Sequence, residues 1–91
     1  MKISYNELTV YEIEILHKKI LKEVTKAKTS FTLNFENVEK IDLSTLQLLL
    51  SLKKECEAQN IKLKLVNLEA RQIKKMLKMF NVTEKLGLSN D

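Results

Sequence analysis

Apolar and polar residues alternate in three segments of the chain, and each alternation predicts a β-strand with one buried face. Side chains of a strand point alternately to opposite faces, so one face of the sheet is expected to be less covered than the other. The first segment alternates weakly, with Ile3, Tyr5 and Leu8 facing inward, and the third alternates most regularly. The three predicted strands are Lys2 to Leu8, Phe31 to Phe35 and Ile61 to Val66.

Between these strands the apolar residues recur every three or four positions, which predicts amphipathic helices. The first helix runs from about Tyr11 to Lys26, and the second from about Ser44 to Gln59, where Asn60 closes it. Val82 to Leu88 is expected to add a short last helix with Gly87 near its end. The predicted inward faces are Ile13, Leu16, Ile20 and Val24 in the first helix, Thr45, Leu48, Leu49, Leu52 and Cys56 in the second, and Ile73, Met76, Leu77 and Phe80 in the third.

The resulting order β-α-β-α-β-α predicts an α/β fold with two layers. A mixed, mostly parallel sheet is expected, with the helices packed mainly on one face, because a helix between two strands favours a parallel crossover. The chain has 91 residues, no proline and one glycine, and no linker is visible in it. Residues 1–91 are therefore expected to form a single domain.

Composition argues against several classes of protein. The single cysteine, Cys56, cannot pair within the chain, and no segment has the form of a signal peptide. The longest apolar run, Leu48 to Leu50, is far too short to cross a bilayer. A cytoplasmic protein that does not insert into the membrane is expected.

Candidate catalytic residues are few. His17, the single histidine, flanks the apolar face of the first helix, where a half-buried structural role is favoured. Cys56 continues the leucine stripe of the second helix and is interpreted as a core residue. Since no His/Cys cluster has metal-ligand spacing and no glycine-rich loop could hold a nucleotide, neither an enzyme nor a bound metal or cofactor is expected.

The net charge of +4 comes from the last third of the chain, where residues 61–91 carry seven basic and three acidic residues. Four of the cations, at helical spacing, are predicted to share one face of the third helix, and this candidate contact face either meets an acidic partner or remains hydrated. Nucleic-acid binding is not expected, because Phe80 is the only aromatic residue of this third. The four residues are Arg71, Lys74, Lys75 and Lys78.

The polar cluster before the leucine-rich run is the most informative stretch. Asp42, Ser44 and Thr45 fall where a loop becomes the second helix, and a helix N-terminus can accept a capping oxygen or hold a phosphate. Either Asp42 or Ser44 is a structural cap, or Ser44 is a phosphoacceptor. Leu46 and Leu50 lie beside the predicted inward stripe, so they pack on a neighbouring helix or contact a partner.

This order of segments resembles the STAS domains, which occur in anti-sigma factor antagonists and in the C-terminal parts of sulfate transporters. The family has an Asp-Ser-Ser/Thr-Gly-Leu helix start, to which Asp42 and Ser44 correspond by position, while Leu43 and Thr45 replace a small hydroxyl residue and the glycine. The resemblance covers nearly the whole chain. It is carried by Glu7 to Tyr11, Val38 to Leu50, Ile61 to Asn67 and Ile73 to Leu88.

The resemblance implies a non-enzymatic, protein-binding regulatory module of bacteria, similar to an anti-sigma factor antagonist that acts in transcription regulation. Ser44 would be the phosphoacceptor, with Thr45 as the second choice. The partner would be an anti-sigma factor and serine kinase of histidine-kinase-like fold, or another signalling protein, and it would supply the ATP. The partner-binding residues carried over in this way are Asp42, Leu43, Ser44, Leu46, Gln47 and Leu50.

The family also suggests an alternative, in which the chain is a constitutive subunit of a chemotaxis-type signalling complex or a lipid-transport complex. Ser44 would then be a cap and no phosphate would control binding. In either case the chain is expected to be a monomer or a weak homodimer.

Overall fold

The computed structural model describes residues 1–26 and 29–88, and it confirms the predicted α/β fold. Two parallel strand pairs are present in these residues, β1 with β3 and β2 with β4. The elements are β1 (Glu7–Leu8), α1 (Val10–Lys26), β2 (Ser30–Asn34), β3 (Lys40–Ile41), α2 (Leu43–Ala58), β4 (Lys62–Val66) and α3 (Arg71–Met79).

The β2–β4 pair is covered on one face, as the alternating pattern predicted. Phe31 lies opposite Leu63 in the register of the pair, and both side chains are buried. Lys62 and Lys64, which point to the other face, are exposed. Helix α2 packs against this pair, on its apolar side.

The N-terminal strand is interrupted rather than continuous over 2–8. Lys2 forms an isolated parallel bridge with Asn34, and Glu7–Leu8 then pairs with β3. The sequence did not predict β3, because its 2 residues are too few for a period-2 pattern.

Helix α1 begins with the Thr9 and Glu12 spacing of a capping box, and the bond to the Glu12 side chain is formed. Thr9 precedes the helix, its N–H donates to Glu12 Oε2 at 3.1 Å, and its hydroxyl also bonds that carboxylate. The hydroxyl hydrogen bond from Thr9 is the main reason why the pKa of Glu12 lies below its usual value.

Asparagines in the left-handed conformation end both α2 and α3. Asn60 has φ 58° and Asn81 has φ 52°. Beyond Asn60, the N–H of Ile61 donates to the Cys56 carbonyl oxygen at 2.8 Å, which is the hydrogen bond of a Schellman motif. The predicted end of the second helix at Asn60 is confirmed.

The predicted last helix over 82–88 is wrong. This segment consists of hydrogen-bonded turns, in which the Leu86 N–H donates to the Val82 carbonyl at 3.0 Å. Gly87, with φ 73°, reverses the chain before a second helical turn can form.

Two of the three predicted helix faces need correction, and only the α1 face is confirmed as predicted. In α2 the buried stripe contains Leu46, and Leu48 is only partly buried. Helix α2 packs against both α1 and β4, and the side that carries Leu46 faces the core. In α3 Met76 is partly buried, and Phe80 lies beyond the helix and is 43% exposed. None of the helices within residues 1–26 and 29–88 is long and apolar enough to cross a bilayer.

Candidate interaction site at the start of α2

The first turn of α2 lies beside the end of β1, where α1 also begins. The N–H of Asp42 donates to the Leu8 carbonyl oxygen at 3.2 Å, which extends the β1–β3 pairing by one bond. Thr9, the next residue after Leu8, forms the capping box of α1. Helices α1 and α2 therefore start on the same side of the molecule.

Asp42, and not Ser44, is the N-cap of α2. Its Oδ1 accepts a hydrogen bond from the Thr45 N–H at 2.9 Å. The Thr45 hydroxyl lies 3.0 Å from the same carboxylate oxygen and 2.9 Å from the Leu8 carbonyl oxygen, and it has one hydrogen to donate. These contacts join the helix start to β1 and decide between the two caps that the sequence left open.

Thr45 and Ser44 differ in accessibility although they are neighbours. Thr45 is 0% exposed and its hydroxyl is held in the contacts described above, so a kinase could reach it only if the helix start opened. Ser44 is partly exposed. Of the two candidate acceptors, Ser44 is therefore the one that a partner can reach from solvent.

The expectation that Leu46 contacts a partner is wrong. Its side chain is 1% exposed and belongs to the core, because the side of α2 that carries Leu46 faces inward. Leu50 is partly buried and packs against the same core.

The exposed apolar side chains at this end of the molecule are different ones. Leu43 is 46% exposed in α2, and Val10 and Tyr11 are 46% and 81% exposed at the start of α1. Gln47, one turn beyond Leu43, is also exposed. Val10 and Tyr11 were not predicted to lie at the site, although Tyr11 stands outside the stripe that contains Ile13 and Leu16, and this spacing indicates a surface position.

Gln72 of α3 holds the other edge of β3 and was also missed. Its Oε1 accepts the Ile41 N–H at 3.0 Å, and its Nε2 donates to the Ile41 carbonyl oxygen at 2.9 Å. The side-chain amide thus replaces a neighbouring strand for the residue that directly precedes Asp42. A glutamine that pairs with a distant backbone leaves no local pattern in the sequence.

The remaining sequence candidates have structural surroundings. Cys56 is 0% exposed, and burial, with a smaller contribution from Glu55, raises the pKa of its thiol, so it behaves as a core residue. His17 is partly buried in α1. The four cations predicted to share a face, Arg71, Lys74, Lys75 and Lys78, all lie on α3 and are all exposed.

A capped helix start with an accessible hydroxyl and exposed apolar neighbours is suited to recognising another protein, and the fold around it is a small α/β domain. The comparisons with known proteins agree with this class. A family model described as "Mlab, STAS domain" matches residues 6–88, so the chain belongs to the STAS domain family. STAS domains are protein-interaction modules and are generally not catalytic.

One solved structure supports the fold. The crystal structure of a sulfate transporter family protein from Wolinella succinogenes is similar to this chain with a TM-score of 0.73. The sequences are 20% identical, and the similarity covers 96% of this chain and 69% of the other. At this identity the similarity shows the fold alone. No curated protein matches the chain.

Proposed function

We propose that this chain is a single regulatory domain that binds a protein partner through the start of α2, and that phosphorylation of Ser44 ends the binding. The observation that carries the proposal is the accessibility of Ser44 beside the Asp42 cap, with Leu43 and Gln47 exposed next to it. Tyr11 extends the surface onto α1. These residues form the proposed docking surface, in which Leu46 takes no direct part.

A phosphate on Ser44 would change this surface strongly while leaving the fold intact. It adds nearly two negative charges at pH 7, at a helix end whose dipole and free N–H groups favour them. Asp42 lies two residues away, and its carboxylate, bonded to Thr45, would oppose the added charge. A partner that binds the unmodified surface through apolar contacts would have to desolvate the phosphate, so phosphorylation would weaken its binding.

The partner that fits this switch is an anti-sigma factor and serine kinase of histidine-kinase-like fold, or another signalling protein, in the bacterial cytoplasm. Such a partner would both bind the docking surface and phosphorylate it. The chain would then act in transcription regulation as an antagonist of the partner, without catalysing a reaction itself.

The alternative is a constitutive subunit of a signalling or lipid-transport complex, and the bulk of Leu43 favours it. Leu43 is 46% exposed directly before Ser44, at a position where the resemblance implies a small hydroxyl residue. A large apolar side chain there improves permanent packing against a partner and restricts the approach of a kinase.

Site-specific photo-crosslinking tests the docking surface. A photoreactive amino acid at position 43 or 47 should capture one protein in extracts of the source cell, and the same group at Lys64, on the open sheet face, should not. Ser44→Asp should abolish the capture if binding is switched by phosphate, and Ser44→Ala should retain it. Both variants should fold, because Asp at the second helical position favours the helix dipole.

Incubation with the captured protein and ATP, followed by mass measurement, separates the two proposals. The switch requires added phosphate that disappears in Ser44→Ala. If Ser44→Asp still captures the partner, and the original protein gains no phosphate, the constitutive subunit is supported. Equal capture at positions 43 and 64 would contradict the docking surface itself.

A further inference from the structure

Helix α3 has a charge arrangement that does not favour the helix by itself. Its sequence, RQIKKMLKM, contains four cations and no acidic residue. Arg71 and Lys75 are spaced i,i+4, as are Lys74 and Lys78, and like charges at this spacing destabilise a helix. The cations therefore contribute nothing to the stability of α3 through pairs within it.

The residues at the start of α3 do not stabilise the helix either. The N-cap residue is Ala70, which forms no side-chain hydrogen bond, and the first helical residue is Arg71. A cation at this end faces the positive pole of the helix dipole. By contrast, α1 starts with the Thr9 box and α2 with the Asp42 cap.

Among the described residues, one of the four charges is compensated by an ion pair with a residue outside the helix. Lys74 Nζ lies 3.0 Å from Glu69 Oε2. Within the part of the chain that the structure describes, no carboxylate lies within the 4.0 Å salt-bridge distance of the Arg71, Lys75 or Lys78 side chain. Lys78, in the last turn, is favoured by the helix dipole, but Arg71 at the first helical position is not. A helix that breaks such a local electrostatic rule is expected at a functional surface.

We propose that the cationic face of α3, formed by Arg71, Lys74, Lys75 and Lys78, docks an acidic segment of a partner protein. The proposal is independent of the docking surface at the start of α2. Positions i, i+3, i+4 and i+7 place the four charges along about 10 Å of one helix face. Carboxylates at matching spacing on a partner helix would turn the repulsion within α3 into attraction across an interface.

The composition of the face favours an acidic protein over other polyanions. Phe80, the C-cap residue, is the one aromatic residue at the described end of α3, and a single ring offers little base stacking. Met79 and Phe80, 63% and 43% exposed at this end, lie beyond the cationic residues and form no apolar face along the helix for a bilayer to take up. Carboxylates require neither stacking nor insertion.

An NMR titration of the ¹⁵N-labelled protein tests the proposal. The probe is a helical peptide with glutamates at positions i, i+3, i+4 and i+7, and its control is the same peptide with glutamines. The glutamate peptide should shift the α3 amide resonances at low salt, and the affinity should fall as salt is added. The glutamine peptide should shift none of them.

Two variants with the same change in net charge provide the matched control. Arg71→Glu with Lys75→Glu should weaken peptide binding by about tenfold or more, whereas Lys18→Glu with Lys22→Glu on α1 should change it by about twofold at most. An equal loss of peptide affinity in both variants would mean that net charge alone determines binding, and it would overturn the proposal. Binding to phosphatidylserine vesicles or duplex DNA, without binding to the glutamate peptide, would overturn it as well.

Discussion

Leu43 and Leu46 are three positions apart in α2 and have opposite roles. Leu43 is 46% exposed beside the docking surface, and Leu46 is 1% exposed in the core. Both are leucines next to hydroxyl residues, so residue type alone did not separate them. The packing of α2 against α1 and β4 decides which side of the helix is buried.

Truncation to alanine should separate these two leucines in a urea denaturation. Leu46→Ala should lower the free energy of unfolding by about 2–5 kcal/mol, since it leaves a cavity in a close-packed core. Leu43→Ala should change it by about 0.5 kcal/mol at most, because the side chain is on the surface. Equal losses would contradict the orientation of α2 described above.

The capping box of α1 should make stability depend on pH. Several hydrogen bonds lower the pKa of Glu12 from its usual 4.5, and the one donated by the Thr9 hydroxyl has the largest effect. A carboxyl whose pKa is lower in the folded state stabilises the fold above its unfolded pKa, and this contribution disappears as pH falls through the lower, folded value. Glu12→Gln should therefore reduce the difference in urea midpoint between pH 6 and acidic pH.

Thr9→Val is the matched control for this measurement, because it removes the hydroxyl and keeps the Glu12 carboxyl. The pKa of Glu12 should move back towards 4.5 in this variant, as seen by NMR titration of its side chain. An unchanged Glu12 titration in Thr9→Val would contradict the role of this hydrogen bond.

At the scale of elements, Gln72 of α3 is hydrogen-bonded to the β3 residue that directly precedes the start of α2. Gln72 forms both hydrogen bonds of Ile41 that face away from β1, and Ile41 is 4% exposed. Unpaired backbone groups at an edge strand are costly when buried and can pair with another chain when exposed. Gln72 thus closes the edge of β3 and fixes the residue before the Asp42 cap.

Removal of this amide should lower stability measurably. Gln72→Ala should cost about 1–3 kcal/mol of unfolding free energy, because it leaves the Ile41 N–H and carbonyl unpaired. Gln72→Glu is the sharper variant, since its carboxylate accepts from the N–H but cannot donate to the carbonyl. Its deficit relative to the original protein should shrink as pH falls and the carboxyl gains a proton to donate.

Amide exchange should locate the same defect. The Thr45 amide, bonded to Asp42, should exchange faster in Gln72→Ala. The Leu33 and Lys64 amides, whose hydrogen bonds cross the β2–β4 pair, should change only as far as global stability changes. A uniform change at all three amides would indicate that Gln72 does not act on the start of α2.

At the scale of the whole molecule, the two strand pairs are unequal. The β2–β4 pair has five residue pairs in register, and the β1–β3 pair has two. The longer β2–β4 pair, whose apolar side chains are buried, should resist local opening better than the short β1–β3 pair, whose outer edge is bonded by the Gln72 amide. The docking surface therefore lies beside the shorter of the two strand pairs.

Native-state hydrogen exchange should report this difference. The Leu33 and Lys64 amides, whose hydrogen bonds cross the β2–β4 pair, are expected to exchange only through global unfolding. The Lys40 and Asp42 amides of the β1–β3 region should exchange through smaller openings with a lower free energy. Equal exchange free energies in the two pairs would mean that the sheet opens as one unit.

Long and regular patterns in the sequence were sufficient for much of the fold. The β2 and β4 strands, the α1 face and the end of α2 at Asn60 follow from periodicity and from a residue that tolerates positive φ, and all are confirmed. The family resemblance is confirmed by the match over residues 6–88. These features depend on neighbours along the chain, and so the sequence by itself determined them.

Tertiary structure alone decided the details of the site. The orientation of α2 buried Leu46 and left Leu43 exposed, the Leu8 carbonyl and the Asp42 carboxylate hold the buried Thr45, and Gln72 reaches Ile41 across 31 positions of sequence. Each of these outcomes depends on contacts between elements that are distant along the chain. Local patterns carry no record of such contacts, because hydrophobicity and spacing describe a helix face but not the neighbour that covers it.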